Sequence, residues 1–148
     1  NYLLKEGYML TTVIMCLALN IYFEARNQPI DGQIAVTHVV LNRAVATEYP
    51  DNICDVVYQA ELTESGDIIK RKCQFSWYCD GKSDIPKDLD ALRWANYIAI
   101  NVLYGVWGDP TGGATHYHSK DVSPAWADEK EKTAVIGEHI FFKSLTEL

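Results

Sequence analysis

Glu24 is the residue of this chain best placed for acid–base chemistry. It closes a long apolar run, residues 13–26 (VIMCLALNIYFEAR), with Tyr22 and Phe23 before it and Arg26 just after. On a helix at about 100° per residue, Leu10, Ile14, Leu17, Ile21 and Glu24 fall within about 80° of one another. The other side carries Cys16, Leu19 and Phe23, so the segment is apolar nearly all round, as the buried centre of a domain is. A carboxylate on the inward stripe of such a helix is costly unless it has a partner or a task. Burial disfavours its charged form, and so does the negative end of a helix dipole if the helix stops nearby. Both effects raise its pKa, which suits a general acid working near neutral pH. Arg26 acts the other way if it reaches the carboxylate, and a structural Glu24–Arg26 pair is the competing reading.

Other residue sets offer other chemistries. A glycosidase that uses two carboxylates needs its second one roughly 5–9.5 Å from the acid. Asp109, Asp121, Asp128 and Glu138 are available, but none sits in an apolar run as Glu24 does. The pattern therefore favours a single carboxylate. His116 and His118 share one face if their segment is a strand, as two metal ligands would, with His139 or an acid as the third. Histidines that hydrogen-bond in a cleft fit the same spacing and need no further ligand. Cys73 beside His116 or His139 would make a nucleophilic pair, although Cys79, six residues on, is placed to tie Cys73 up. That disulfide closes only outside a reducing compartment. Cys16 reads as a small core hydrophobe.

The elements that must position these groups are legible in outline. A break at Asn27-Gln28-Pro29 leads to a second helix running to about Ala46, opened by Pro29 or capped by Asp31. A turn so short predicts an antiparallel or crossed helix pair. Residues 53–59 read as a short helix, and the charged stretch 60–72 as a mobile loop. Residues 73–81 (CQFSWYCDG) alternate like a short strand ending in an Asp-Gly turn. A helix follows Pro86, with Leu89, Leu92, Ala95, Ala99, Val102 and Leu103 on its apolar spacing and Gly105 as its stop. Residues 114–119 read as a strand, 122–126 as irregular, and 133–142 as two strands around a Gly-Glu turn. The sum is α+β: a helical body around a central buried helix, carrying a small antiparallel sheet.

Size and composition agree with one domain over residues 1–148. Apolar residues make up 48% and charged ones 22%, values typical of globular proteins. The net charge of −7, without a Lys/Arg cluster, argues against nucleic acid or an anionic membrane as partner. The apolar run at 8–23 contains Thr11, Thr12 and Asn20 and is short for a bilayer span, so it reads as a core helix. An opening Asn1-Tyr2 instead of Met reads as a piece of something longer. Nine Tyr and four Trp supply flat rings of the kind that stack on sugars.

Six blocks in order, IYFEAR, DGQIAVTHVVLNR, YPDNICDVVYQ, CQFSWYCDG, GATHYHSKDVSPAWA and IGEHIFF, resemble the bacterial and phage cell-wall hydrolases of the SleB and CwlJ type. These are the spore-cortex-lytic enzymes and their relatives, and the resemblance runs from about Cys16 to Phe142. It implies a fold akin to goose-type lysozymes and resuscitation-promoting factors. It also implies cleavage of peptidoglycan glycan strands between N-acetylmuramic acid and N-acetylglucosamine, with action at the cell wall, outside the membrane or in the periplasm. Cortex-lytic members are lytic transglycosylases, and the family's catalytic Glu falls on Glu24. Gln74, Ser76, His116 and Tyr117 match polar positions of the family's blocks, which implies contacts with acetamido and hydroxyl groups. Trp77, Tyr117 and Trp126 are then stacking platforms, unless they belong to the core as Phe75 does. Asn42 and Arg43 would support Glu24 from the second helix. The scheme needs no metal and no cofactor. One departure is Phe142, which stands where the family usually has Tyr. Simple hydrolysis, a binding domain without catalysis, and a metal- or cysteine-dependent peptidase are the competing functions.

Overall fold

The computed structural model describes residues 2–145, with side chains described from Met9 to Leu145. The helices are α1 (Tyr2–Ala25), α2 (Ile30–Val45), α3 (Ile53–Val57) and α4 (Leu89–Leu103). The strands are β1 (Ala60–Leu62), β2 (Ile68–Cys73), β3 (His116–Ser119), β4 (Lys130–Ile136) and β5 (His139–Ser144). They form a β1-β2 hairpin and an antiparallel sheet of order β3-β5-β4. This is a helical body with two small antiparallel sheets.

The second half of α1 is the centre of that body. It packs against α2, α3 and α4, and Leu17 and Ile21 meet Val40, Val57 and Ile98 in the larger core. The inward stripe is shorter than its spacing predicts. Leu10 is 37% exposed, and burial begins at Cys16. Cys16 is no free hydrophobe: it forms a disulfide with Cys54 and so ties α1 to α3. Closing a loop of that length restricts the unfolded chain by on the order of 3–4 kcal/mol. Among the described residues no helix is long and apolar enough to cross a membrane.

Local chemistry sets the remaining helix ends. Pro29 takes the N-cap of α2, and Asp31 stands in the first turn, where its charge favours the helix dipole. Asn52 caps α3 by accepting from the Asp55 N–H at 2.9 Å. Asp88 caps α4 by accepting from the Ala91 N–H at 3.0 Å. The Tyr22 hydroxyl accepts from the N–H groups of Lys87 and Asp88, at 3.1 and 3.0 Å, and fixes where α4 starts relative to α1. Gly105, just past the α4 C-cap, adopts φ +76, as the stop predicted there requires.

Two stretches differ from expectation. Residues 60–72 are a hairpin, not a loop. Residues 76–79 form a 3-10 turn rather than a strand, and Cys73 is bonded to Cys79 across it. A six-residue disulfide loop holds its ends about 6.1 Å apart at Cα, too close for an extended strand. A second, smaller core joins the three-stranded sheet to the helices through Ala25, Val36, Val39 and Phe141. The β4–β5 turn docks on the α1–α2 turn, where the Glu138 N–H donates to Gln28 Oε1 at 3.0 Å. Gly137 has φ +57, and a Cβ there would stand 2.5 Å from that same oxygen and 3.1 Å from Pro29 Cδ, so a side chain would be strained and would displace the Gln28 amide.

Candidate active site

The last turn of α1 brings Glu24 into a cleft of about 200 Å3. Arg43 from α2, the segment Gln74-Phe75-Ser76 after β2, and Tyr117 from β3 form its other walls. Four remote pieces of chain thus converge on one carboxyl group, and Glu24 is the one acid among the lining residues. The Tyr117 hydroxyl donates to Glu24 Oε2 at 3.0 Å. Burial raises the Glu24 pKa above the ordinary carboxylate value, and this outweighs the opposing pull of the Tyr117 hydrogen bond and the Arg43 charge. The Tyr117 pKa is pushed well up by burial and by the neighbouring carboxylate, so its hydroxyl stays a donor.

Arg43, not Arg26, is the cation that acts on Glu24. Its Nε donates to the Thr115 carbonyl at 2.7 Å, and its guanidinium lies 5.1 Å from the ring centres of Tyr49 and Phe75. Arg43 is 5% exposed, and its Nη1 is buried with no hydrogen-bond partner. A buried, unpaired N–H costs on the order of 1–3 kcal/mol, and here it belongs to a side chain that lines the cleft. Arg26 turns back on its own helix: Nη1 donates to the Tyr22 carbonyl at 3.0 Å and the guanidinium covers the Tyr22 ring. No Glu24–Arg26 ion pair is present among the described residues.

Of the residues singled out in the sequence, Glu24, Gln74, Ser76 and Tyr117 come together in the cleft. Trp77, His116 and Trp126 do not line it. Trp77 is 6% exposed, stacks on Phe23 and donates from Nε1 to Asn20 at 2.9 Å, so it is mainly core and reaches only the edge of the adjoining cleft beside Ser76. His116 points to the other side of β3, where Nδ1 meets Thr115 Oγ1 at 2.9 Å and Nε2 meets the Tyr49 hydroxyl at 3.3 Å. Trp126 packs there against His116, His118 and Phe142. Phe75 is core as expected, 2% exposed, yet it also walls the cleft. Asn42 serves the loop before β3, donating to Asp109 and to the Ala114 carbonyl.

The alternative chemistries find no such convergence. Asp109 accepts from Thr111, Asn42 and the Gly113 N–H, and the Thr111 and Asn42 bonds hold its pKa low despite partial burial. Asp121 bonds Ser119 at the surface. His116 and His118 do share a face, but among the described residues no group of three or more His, Cys, Asp or Glu side chains could hold a metal ion. Cys73 is consumed by its disulfide and is not a nucleophile in this form.

Known proteins share this architecture. A family model described as Cell Wall Hydrolase matches residues 27–142. The chain is 32% identical over 129 residues to a spore cortex-lytic enzyme of Halalkalibacterium halodurans, covering 86% of this chain and 34% of that protein. It is 31% identical over 131 residues to the corresponding enzyme of Oceanobacillus iheyensis, covering 88% and 41%. The chain thus spans well under half the length of these curated relatives. The catalytic domain of the Bacillus cereus SleB protein superposes with a TM-score of 0.69 at 27% identity, covering 90% of this chain and 91% of that one. The catalytic domain of the germination-specific lytic transglycosylase SleB from Bacillus anthracis gives 0.68 at 28%, covering 88% and 93%.

Proposed function

The chain belongs to the cell wall hydrolase family, and from that premise we propose that it cleaves peptidoglycan glycan strands as a lytic transglycosylase with Glu24 as its acid and base. The observation that carries this reading is the state of Glu24: a carboxyl group with a raised pKa, held by Tyr117 in a cleft where no other acid stands. Residues 1–148 act as one catalytic domain in this reading.

Glu24 begins protonated and gives its proton to the glycosidic oxygen between muramic acid and glucosamine, so that the C1–O bond breaks with a neutral leaving group. The muramic 6-hydroxyl attacks the anomeric carbon, helped by the neighbouring 2-acetamido group, as in substrate-assisted glycosidases. Ionised Glu24 takes the proton of that hydroxyl, which restores the enzyme and leaves a 1,6-anhydro end. Arg43 steadies the carboxylate between the two proton transfers, and its unpaired Nη1 is free to donate to a substrate oxygen. Gln74 and Ser76, both exposed at the cleft, contact acetamido and hydroxyl groups. The two disulfides fit action in an oxidising place, at the wall outside the cytoplasm. A lytic transglycosylase among the structural relatives supports transfer over hydrolysis.

Mass spectrometry of the released muropeptides tests this. Anhydro ends are expected, and Glu24→Gln should reduce their release by at least about 100-fold while the fold is kept. Reducing ends would replace transfer by hydrolysis. Cut stem peptides with intact glycan, or full activity in Glu24→Gln, would overturn the mechanism.

A further inference from the structure

The outer face of α4 carries aromatic rings where a solvent-facing helix normally carries charge. Its inner face, Ala95, Ile98, Ala99 and Val102, is buried. On the outer face Trp94 is 52% and Tyr97 is 51% exposed, with ring centres 5.7 Å apart, and the Trp107 ring stands 5.4 Å beyond Tyr97. A lone exposed ring is unremarkable in any protein, but Trp94 and Tyr97 meet at the surface, and Tyr97 leans on Trp107, which is itself partly buried against the larger core.

The clefts of the molecule lead to these rings. The Glu24 cleft shares Ser76 with a second cleft of about 460 Å3 that runs under Tyr22 and Phe23. The second shares Arg26 with a third, of about 380 Å3, and the third shares Asp90 and Trp94 with a fourth, of about 550 Å3, walled by Trp94 and Tyr97. We infer that Trp94 and Tyr97 form a distal subsite that holds a further stretch of the same peptidoglycan glycan strand whose bond is cut at Glu24. This rests on the proposed function above. A linear polymer is the ligand that can lie across neighbouring clefts, each sharing a wall residue with the next. Ring faces take the C–H faces of pyranoses, and Arg26, Asp90 and Arg93 offer partners to hydroxyl and acetamido groups. The Arg93–Asp90 pair is loose, at 3.7 Å with side chains 83% and 90% exposed, so it gives way to a ligand at little cost.

The test compares kinetics on long glycan strands with those on a tetrasaccharide short enough to be held around Glu24 alone. The double variant W94A/Y97A is expected to raise KM for long strands about tenfold, with kcat and all tetrasaccharide kinetics unchanged. The pair W94Y/Y97F, which keeps two rings, should stay within about twofold of the parent on both substrates. Equal losses on both substrates, or no loss on either, would overturn the distal subsite alone. A changed sedimentation coefficient in W94A/Y97A with unchanged long-strand KM would assign the rings to another protein surface and overturn it too. A parent protein inert on both substrates would overturn the proposed function, and this inference with it.

Discussion

The two faces of β3 lie one residue apart and do opposite work. Tyr117 faces the helices, packs with Phe141 and His139, and reaches Glu24 with its hydroxyl. His116 and His118 face outward into a half-buried layer with Trp126 and Phe142, where His116 bonds Tyr49 and Thr115 through its two ring nitrogens and His118 bonds the Ser119 carbonyl through Nδ1. The outer face holds the sheet together, and the inner one sets the state of the carboxyl group. Three consecutive residues rich in titratable side chains therefore contribute one functional group, because a strand sends its side chains alternately to either side.

The largest effect expected from separating these roles is on stability. Phe142 is 6% exposed, lies opposite His116 in the sheet and stacks on His118. Phe142→Ala should remove about 3 kcal/mol of unfolding free energy, at the low end for a buried Phe because the site is near the sheet surface. The activity of the folded fraction should stay within about twofold. Denaturant unfolding and kinetics on the same preparation check both halves. A drop in activity without loss of stability would place Phe142 in the chemistry, contrary to its position on the outer face.

Tyr117→Phe should do the converse. Removing the hydroxyl takes away the hydrogen bond that favours the ionised form of Glu24, so the carboxyl pKa rises further. The alkaline limb of the kcat/KM profile, which reports loss of the acid form, should therefore move to higher pH. The value at its maximum should fall about 10–100-fold, because the carboxyl group is no longer held in position for either proton transfer. The ring stays on Phe141, so stability should change by no more than about 1.5 kcal/mol. A limb that moves down, or does not move, would remove Tyr117 from the acid's environment.

Much of this was readable in the sequence, and the misreadings have local causes. The helix after Pro29, α4 and the β4–β5 hairpin have clean periodicity and turn residues, so they were legible. Glu24 stood out because an acid in an apolar run is costly. The assignment of both His116 and Tyr117 to one cleft conflicted with strand alternation, which was itself in the sequence. The hairpin at 60–73 was hidden because its strands are mostly exposed and rich in charge, from Glu61 to Lys70, Arg71 and Lys72, leaving no alternation to detect. Arg43 beside Glu24 was expected from the family resemblance and not from the local pattern, whereas the Cys16–Cys54 bond was not expected at all; both are long-range facts. They follow from how α1 crosses α2 and α3, which no local pattern encodes.

The smallest effect is the one that most directly contrasts the two faces, because they respond oppositely to acid. Burial, with Lys130 and Arg43 nearby, lowers the His116 pKa from its ordinary 6.5 to about 4. The unfolded chain therefore takes up this proton first. The contribution of His116 to stability is complete above about pH 6.5 and is lost as pH falls through 4. Its side chain is half open to water, so screening limits the contribution to on the order of 1 kcal/mol. Glu24, raised by burial, runs the other way: its contribution is complete below the ordinary carboxylate pKa and is lost as pH rises through the folded value. In His116→Gln the outer-face dependence disappears, whereas those of Glu24 and of His139, itself lowered by burial, remain and cancel in the difference. Urea unfolding at pH 7 and pH 4.5 should therefore show the parent losing on the order of 1 kcal/mol more than the variant over that interval. Parallel losses would mean that His116 is as easily protonated in the folded protein as in water, and that the outer layer of β3 is wetter than its packing against Trp126 implies.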